Sequence, residues 1–190
     1  MEREVIWTPT HGPGLEHLRL TQQSRGAIAD SLIVGLEGNQ VFRLRYAIRC
    51  DPQWRVREAR VAPLDAPDQG IVLLADGQGR WWDEGGAVIP ALAGCIDVDL
   101  SASPFTNTLP IRRLALPPGA SADLLVAYIT LPELQLSPMR QRYTCLAAQA
   151  DGSHYRYQSL DSGFTADLPV DGDGLVIDYP GLFRRVWSTA

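Results

Sequence analysis

Lysine is missing altogether: all 17 basic residues of the 190-residue chain are arginine. We read this as the codon habit of a GC-rich genome. Its physical consequence is that every cation is a planar fork suited to carboxylate or phosphate. With 22 acidic residues the formal net charge is −5. The chain therefore lacks the basic surface that displaces counterions from nucleic acid, which excludes a general nucleic-acid binder. No apolar run approaches the roughly 18 to 20 residues that span a bilayer, so no stable membrane insertion is expected. The start, Met1-Glu2-Arg3-Glu4, has neither the basic nor the apolar region of a secretory leader, and the expectation is a cytoplasmic protein. Cysteine is scarce. Cys50, Cys95 and Cys145 form no CxxC and have no histidine at ligand spacing, which predicts buried free thiols. His11, His17 and His154 are too dispersed for a metal cluster, and no cofactor is expected. GxSxG, P-loop, GxGxxG and HExxH signatures are all missing.

Helix signals are also few, because 14 prolines and 17 glycines are spread along the chain. The best helical window is Gly14 to Asp30, and Thr, Ser and Gly weaken it. His11 and His17 fall in an N-terminal segment that reads as weakly structured. Strand signals are abundant. In Gln40 to Cys50, Phe42, Leu44, Tyr46 and Ile48 alternate with Arg43, Arg45, Ala47 and Arg49. Further strands are read at Trp54–Val61, Gly70–Ala75 with Arg80–Trp82, Gly94–Ser101, Ile111–Leu116 and Asp123–Thr130. Arg140–Ala148 and Ser153–Leu160 read as a hairpin about Asp151-Gly152, followed by Phe164–Val170, Gly174–Tyr179 and Leu182–Trp187.

So many short strands at regular spacing predict an all-β protein: an antiparallel sheet rolled or closed into a barrel-like β-roll, with little helix. Closing the sheet deals with its exposed edges. One domain over residues 1–190 is expected. A faint repeat relates Gly70-Ile71-Val72-Leu73 to Gly174-Leu175-Val176-Ile177, each followed by an Arg-aromatic strand. It suggests two similar halves, 1–117 and 118–190.

The chemistry-bearing stretch is Gly94-Cys95-Ile96-Asp97-Val98-Asp99-Leu100-Ser101, followed by a hydroxyl-rich, proline-bounded loop and then Arg112-Arg113. On a strand the two carboxylates share one face, about 7 Å apart. A hairpin would set Arg112 or Arg113 opposite Asp97 or Asp99, either as a cross-strand ion-pair ladder or as the polar lining of a pocket. Carboxylates and arginines beside aromatic rings suit sugar hydroxyls or an anionic headgroup.

The run from Gly94 to Leu114, centred on Thr106-Asn107-Thr108-Leu109-Pro110-Ile111-Arg112-Arg113-Leu114, resembles the glycolipid-binding family of bacterial proteins. So do Tyr46 with Trp54, Gly79 with Trp81, Gln141-x-Tyr143, and the closing Asp171 to Tyr179-Pro180-Gly181-Leu182-Phe183-x-Arg185. The resemblance covers about Ser31 to Val186. It implies a rolled antiparallel β structure, likened to periplasmic lipoprotein carriers, with a lipid or glycolipid ligand. It supplies no catalytic residues.

Consecutive Trp81-Trp82 must face opposite sides of a strand, so one leaves the main core, either to pack elsewhere or to offer a platform to a ligand. The ligand-binding set read from the sequence is therefore Asp97, Asp99, Asn107, Arg112, Arg113, Trp81, Trp82 and Tyr143. The leading expectation is a lipid- or glycolipid-binding protein with an apolar β-lined cavity and a polar Asp/Arg mouth. Two readings stand beside it: a hydrolase-like enzyme using Asp97 and Asp99, and a structural or dimerisation module without a ligand, oligomeric through an exposed tryptophan.

Overall fold

The alternation in Gln40–Cys50 forms the strand it predicts: Leu44, Tyr46, Ile48 and Cys50 are buried and Arg43, Arg45 and Arg49 exposed. The outward arginines pair with acids on the solvated face, Arg45 with Asp30 at 2.6 Å and Arg49 with Glu58 at 3.6 Å. Such exposed pairs stabilise little. The computed structural model describes residues 1–149 and 151–189. Among these, strands β1 (Glu2–Pro9), β2 (Leu15–Gln23), β3 (Gly26–Glu37), β4 (Gln40–Cys50), β5 (Val56–Pro63), β6 (Ile71–Ala75) and β7 (Trp81–Asp83) run up and down in chain order. The last two strands, β13 (Asp178–Tyr179) and β14 (Phe183–Ser188), return beside β1 and complete a nine-stranded antiparallel sheet. A second, curled sheet holds β8 (Asp97–Leu100), β9 (Ser121–Ile129), β10 (Leu136–Gln149), β11 (Gly152–Ser159) and β12 (Thr165–Asp171). The protein is all-β with a barrel-like roll and one short helix, α1 (Thr108–Leu114). No described helix is long and apolar enough to cross a membrane.

Five local readings are corrected. Gly14–Asp30 is not helical; it lies in the hairpin β2–β3, which pairs Leu18 with Ser31. Of Leu15, Leu18 and Ala27, whose loose 3.6 spacing suggested a helix, Leu18 and Ala27 lie in the inward rows of two adjacent strands and Leu15 is exposed. The N-terminal segment is ordered as β1, and His17 of β2 meets Glu4 at 3.2 Å. Ile111–Leu116 is helix rather than strand. Pro104 opens a 3-10 turn that runs straight into α1, and Pro110 sits in the first helical turn, where a missing N–H costs nothing. The helix stops at Ala115, whose φ is +43°. Finally, β8 runs parallel to β9, pairing Asp97 with Val126, so the Asp-x-Asp strand and the Arg-Arg segment do not form a hairpin. Of Gly174–Tyr179, only Asp178–Tyr179 forms a strand, with one isolated bridge between Val170 and Val176.

Burial follows the two sheets. One apolar cluster fills the inner face of the larger sheet, with Trp7, Tyr46 and Trp81 each almost fully buried. Trp7 and Trp81 each satisfy the indole N–H on a carbonyl, Val176 at 2.8 Å and Cys95 at 2.7 Å. A second cluster lies under the smaller sheet around Tyr143, Tyr155, Tyr157 and Leu168. Between them sits the segment from Pro104 to Ile111, every residue of which is buried. Phe105 and Leu109 belong to the first cluster and Ile111 to the second. This plug fixes where space remains: along the seam between the sheets. The three cysteines are free and buried, as their apolar surroundings predict. Burial pushes the Cys95 thiol up to about 11, far from a reactive thiolate at neutral pH.

Candidate functional site

Three neighbouring strands each turn one polar residue onto the apolar inner face: Glu16 on β2, Ser31 on β3, Tyr46 on β4. Glu16 is 2% exposed. Its Oε1 accepts hydrogen bonds from Tyr46 Oη at 2.5 Å, Ser103 Oγ at 3.0 Å and Ser31 Oγ at 3.0 Å. Its Oε2 is buried without a partner. Burial pushes the carboxyl from 4.5 up to about 7, and the three hydroxyls pull it partly back. Glu16 forms part of the wall of a cleft of about 440 Å³, together with Leu15, Ile33, Leu36, Phe42 and Leu131. The cleft is predominantly apolar, and its size falls in the range of small-molecule sites.

Adjoining it is a smaller recess of about 220 Å³, lined by Asp99, Ser103, Asn107, Tyr128, Tyr157 and Tyr179. The cleft and the recess share Ser101, Leu182 and Phe183, and Glu16 in one is bonded to Ser103 in the other. The recess is held by fixed hydrogen bonds. Thr106 Oγ1 donates to Asp99 Oδ1 at 2.6 Å and Gln141 Nε2 to Asp99 Oδ2 at 2.7 Å. Tyr143 Oη donates to Asn107 Oδ1 at 2.8 Å, and Asn107 Nδ2 donates to the Pro104 carbonyl at 3.2 Å. Burial raises the Asp99 carboxyl, and Thr106 and Gln141 oppose that. Burial, then the nearby Asp99, raises the Tyr128 phenol. The result is a polar, aromatic-walled hollow opening beside an apolar one.

The residues singled out in the sequence divide among several places. Asp99 and Asn107 line the recess, and Tyr143 is buried behind it, holding Asn107. Asp97 is fully buried and held by both arms of Arg113, Nε to Oδ1 at 3.0 Å and Nη2 to Oδ2 at 2.5 Å. Burial raises the Asp97 carboxyl, and Arg113 draws it back. The ion pair foreseen between these groups exists, but between strand and helix rather than across a hairpin. Arg112 points elsewhere, its guanidinium 5.0 Å from the Trp54 ring, in a separate depression that also includes Gln22, Ser153 and Tyr155. Trp81 is core and Trp82 half-buried on the other side of β7. Glu16, Tyr46, Ser103, Phe42 and the tyrosines of the recess were not read as site residues. The signal for Glu16 was present: it continues the inward row Glu16, Leu18, Leu20, a carboxylate where an apolar residue belongs. With that stretch weighed only as a weak helical window, the row was not seen.

The sequence of residues 4–185 matches the model of a family described as "Putative glycolipid-binding". The chain belongs to this family. The chain is also similar to a DUF1089 family protein from Pseudomonas aeruginosa whose crystal structure is known, with 41% sequence identity. The alignment covers 93% of this chain and 94% of that one, with a TM-score of 0.81. No curated protein matches the chain.

Proposed function

We propose that this member of the glycolipid-binding family binds a single-chain glycolipid along the sheet seam, with its sugar in the tyrosine-lined recess and its acyl or alkyl chain in the cleft. One observation carries the reading: a polar hollow and an apolar hollow meet at shared walls, Ser101, Leu182 and Phe183. A sugar presents hydroxyls to Asp99 and Asn107 and an apolar ring face to tyrosine. The chain leaves water against Ile33, Leu36 and Phe42, at roughly 0.8 kcal/mol per methylene before ordering costs. Affinity then comes from the tail and selectivity from the head. Of the residues anticipated from sequence, Asp99 and Asn107 act on the ligand in this reading and Tyr143 positions Asn107. Asp97 with Arg113 braces the helix behind them.

Calorimetric titration with n-dodecyl β-D-glucoside, with glucose and with dodecanol tests this. The intact glucoside is expected to bind more tightly than either part. Tyr128→Ala should weaken the glucoside about tenfold, the equivalent of roughly 1.4 kcal/mol, and dodecanol much less. No uptake of the glucoside by the native protein, at concentrations below its micelle threshold, would refute the reading.

A further inference from the structure

The tail cleft is apolar on most of its wall, yet one carboxyl forms part of it at the boundary with the recess. Glu16 is 2% exposed and its Oε2 is buried without a partner. Buried polar atoms are rarely left so, because an unmade bond leaves the group's desolvation uncompensated. The other oxygen, Oε1, is held in place by Tyr46, Ser31 and Ser103, so the carboxyl is fixed rather than free to turn away. Ser103 carries the same cluster into the recess, where it lines the wall with Asp99 and Asn107. A fixed carboxyl with one oxygen unpaired therefore stands in the cleft wall, bonded through Ser103 to the recess.

We infer that Glu16 is a ligand-recognition residue, and that the amphiphile it selects carries a free hydroxyl on its chain within a few carbons of the headgroup. The inference rests on the glycolipid reading of the cleft and narrows the class of lipid it takes. A hydroxyl is the group that fits. It donates to Oε2 when Glu16 is ionised and accepts from it when Glu16 is protonated. Burial holds the carboxyl near neutrality, so both forms are present under ordinary conditions. An amine would satisfy only the anion, and an ester carbonyl only the acid. An unsubstituted chain would leave Oε2 unpaired, as it is in the free protein, and so gains nothing there, whereas a hydroxyl gains the bond.

The test compares two probes on the native protein: n-dodecyl β-D-glucoside and 2-hydroxydodecyl β-D-glucoside. The hydroxylated probe is expected to bind about tenfold more tightly. Glu16→Gln retains an amide N–H2 at the Oε2 position, which can donate to the hydroxyl, so it should keep part of that preference. Glu16→Met should bring the ratio of the two affinities to about one. The 13C resonance of the Glu16 carboxyl should move on adding the hydroxylated probe and much less with the plain one. Equal binding of both probes to the native protein would overturn the inference while leaving the glycolipid reading intact. Binding of neither would overturn both. The comparison on the native protein decides the matter even if Glu16→Met does not fold.

Discussion

Taking away the Arg113 guanidinium leaves the Asp97 carboxylate with no counter-charge in a fully buried position. Arg113→Met is therefore expected to cost about 3–5 kcal/mol at neutral pH, read from urea unfolding. A double variant, Asp97→Leu with Arg113→Met, should recover most of that loss, because neither partner is then left charged. A loss below about 1 kcal/mol in the single variant would show that the pair does not brace the helix. Glu16 makes a different prediction, in pH. Its carboxyl holds a proton more tightly in the folded protein, at about 7 against 4.5. Its contribution to stability is thus fully present below pH 4.5 and lost as pH rises through 7. Glu16→Gln mimics the protonated form and removes this titration. The unfolding free energy of Glu16→Gln minus that of the native protein should rise by about 3 kcal/mol between pH 4.5 and pH 8. A difference that stays flat over that range would mean that folding does not raise the Glu16 carboxyl.

The plug from Pro104 to Leu114 links the fold to the site. Phe105 is 1% exposed, stacks 6.3 Å from the Tyr46 ring and so backs the residue that holds Glu16. Phe105→Ala should destabilise the protein by about 3–5 kcal/mol, measured by chemical denaturation. A loss below 1 kcal/mol would show the space collapsing and the plug to be dispensable. The local sequence carried one short mark that set this plug apart from a strand. Ile111-Arg112-Arg113-Leu114 has apolar residues at i and i+3, which a helix uses, inside a chain whose other segments alternate by two. The strands with clean alternation, β4 and the hairpin β10–β11, were legible because each has one face on a core and one toward solvent. The strand β8 was visible as a strand, but not its parallel partner. Pairing direction depends on how the chain travels afterwards, and here it detours through the plug before β9. Gly79 shows a third kind of information. Its φ is +96°, and an added Cβ would lie 2.9 Å from the Gly94 backbone, so these two glycines hold a close backbone contact that the sequence did not mark.

At the scale of the whole molecule, the first and last long strands of the chain meet inside the larger sheet. β14 pairs with β1, Thr189 N–H donates to the Glu4 carbonyl at 2.9 Å, and Arg185 reaches Asp171 at 2.6 Å. A chain ending after Leu182 leaves β1 as an unpaired edge and is expected to unfold or self-associate, followed by size exclusion and thermal melting. A monomer melting at the native temperature would show that β14 is not needed. The seam that carries the candidate site also depends on this pairing, since Leu182 and Phe183 form the wall common to cleft and recess. Residue pattern alone was enough for fold class and family: alternation is a local consequence of half-buried strands, and the central motif is a contiguous string. It was enough also to couple Asp97 to an arginine and to single out Asp99 and Asn107, which line the recess. It could not bring Glu16 to Ser103, 87 positions away, nor Leu15 to Leu182 across nearly the full chain. Those meetings depend on strand order and on where the plug lies, and a hollow is a property of surfaces that face each other. An inward side chain has the same neighbours in the alphabet whether it meets another side chain or a ligand.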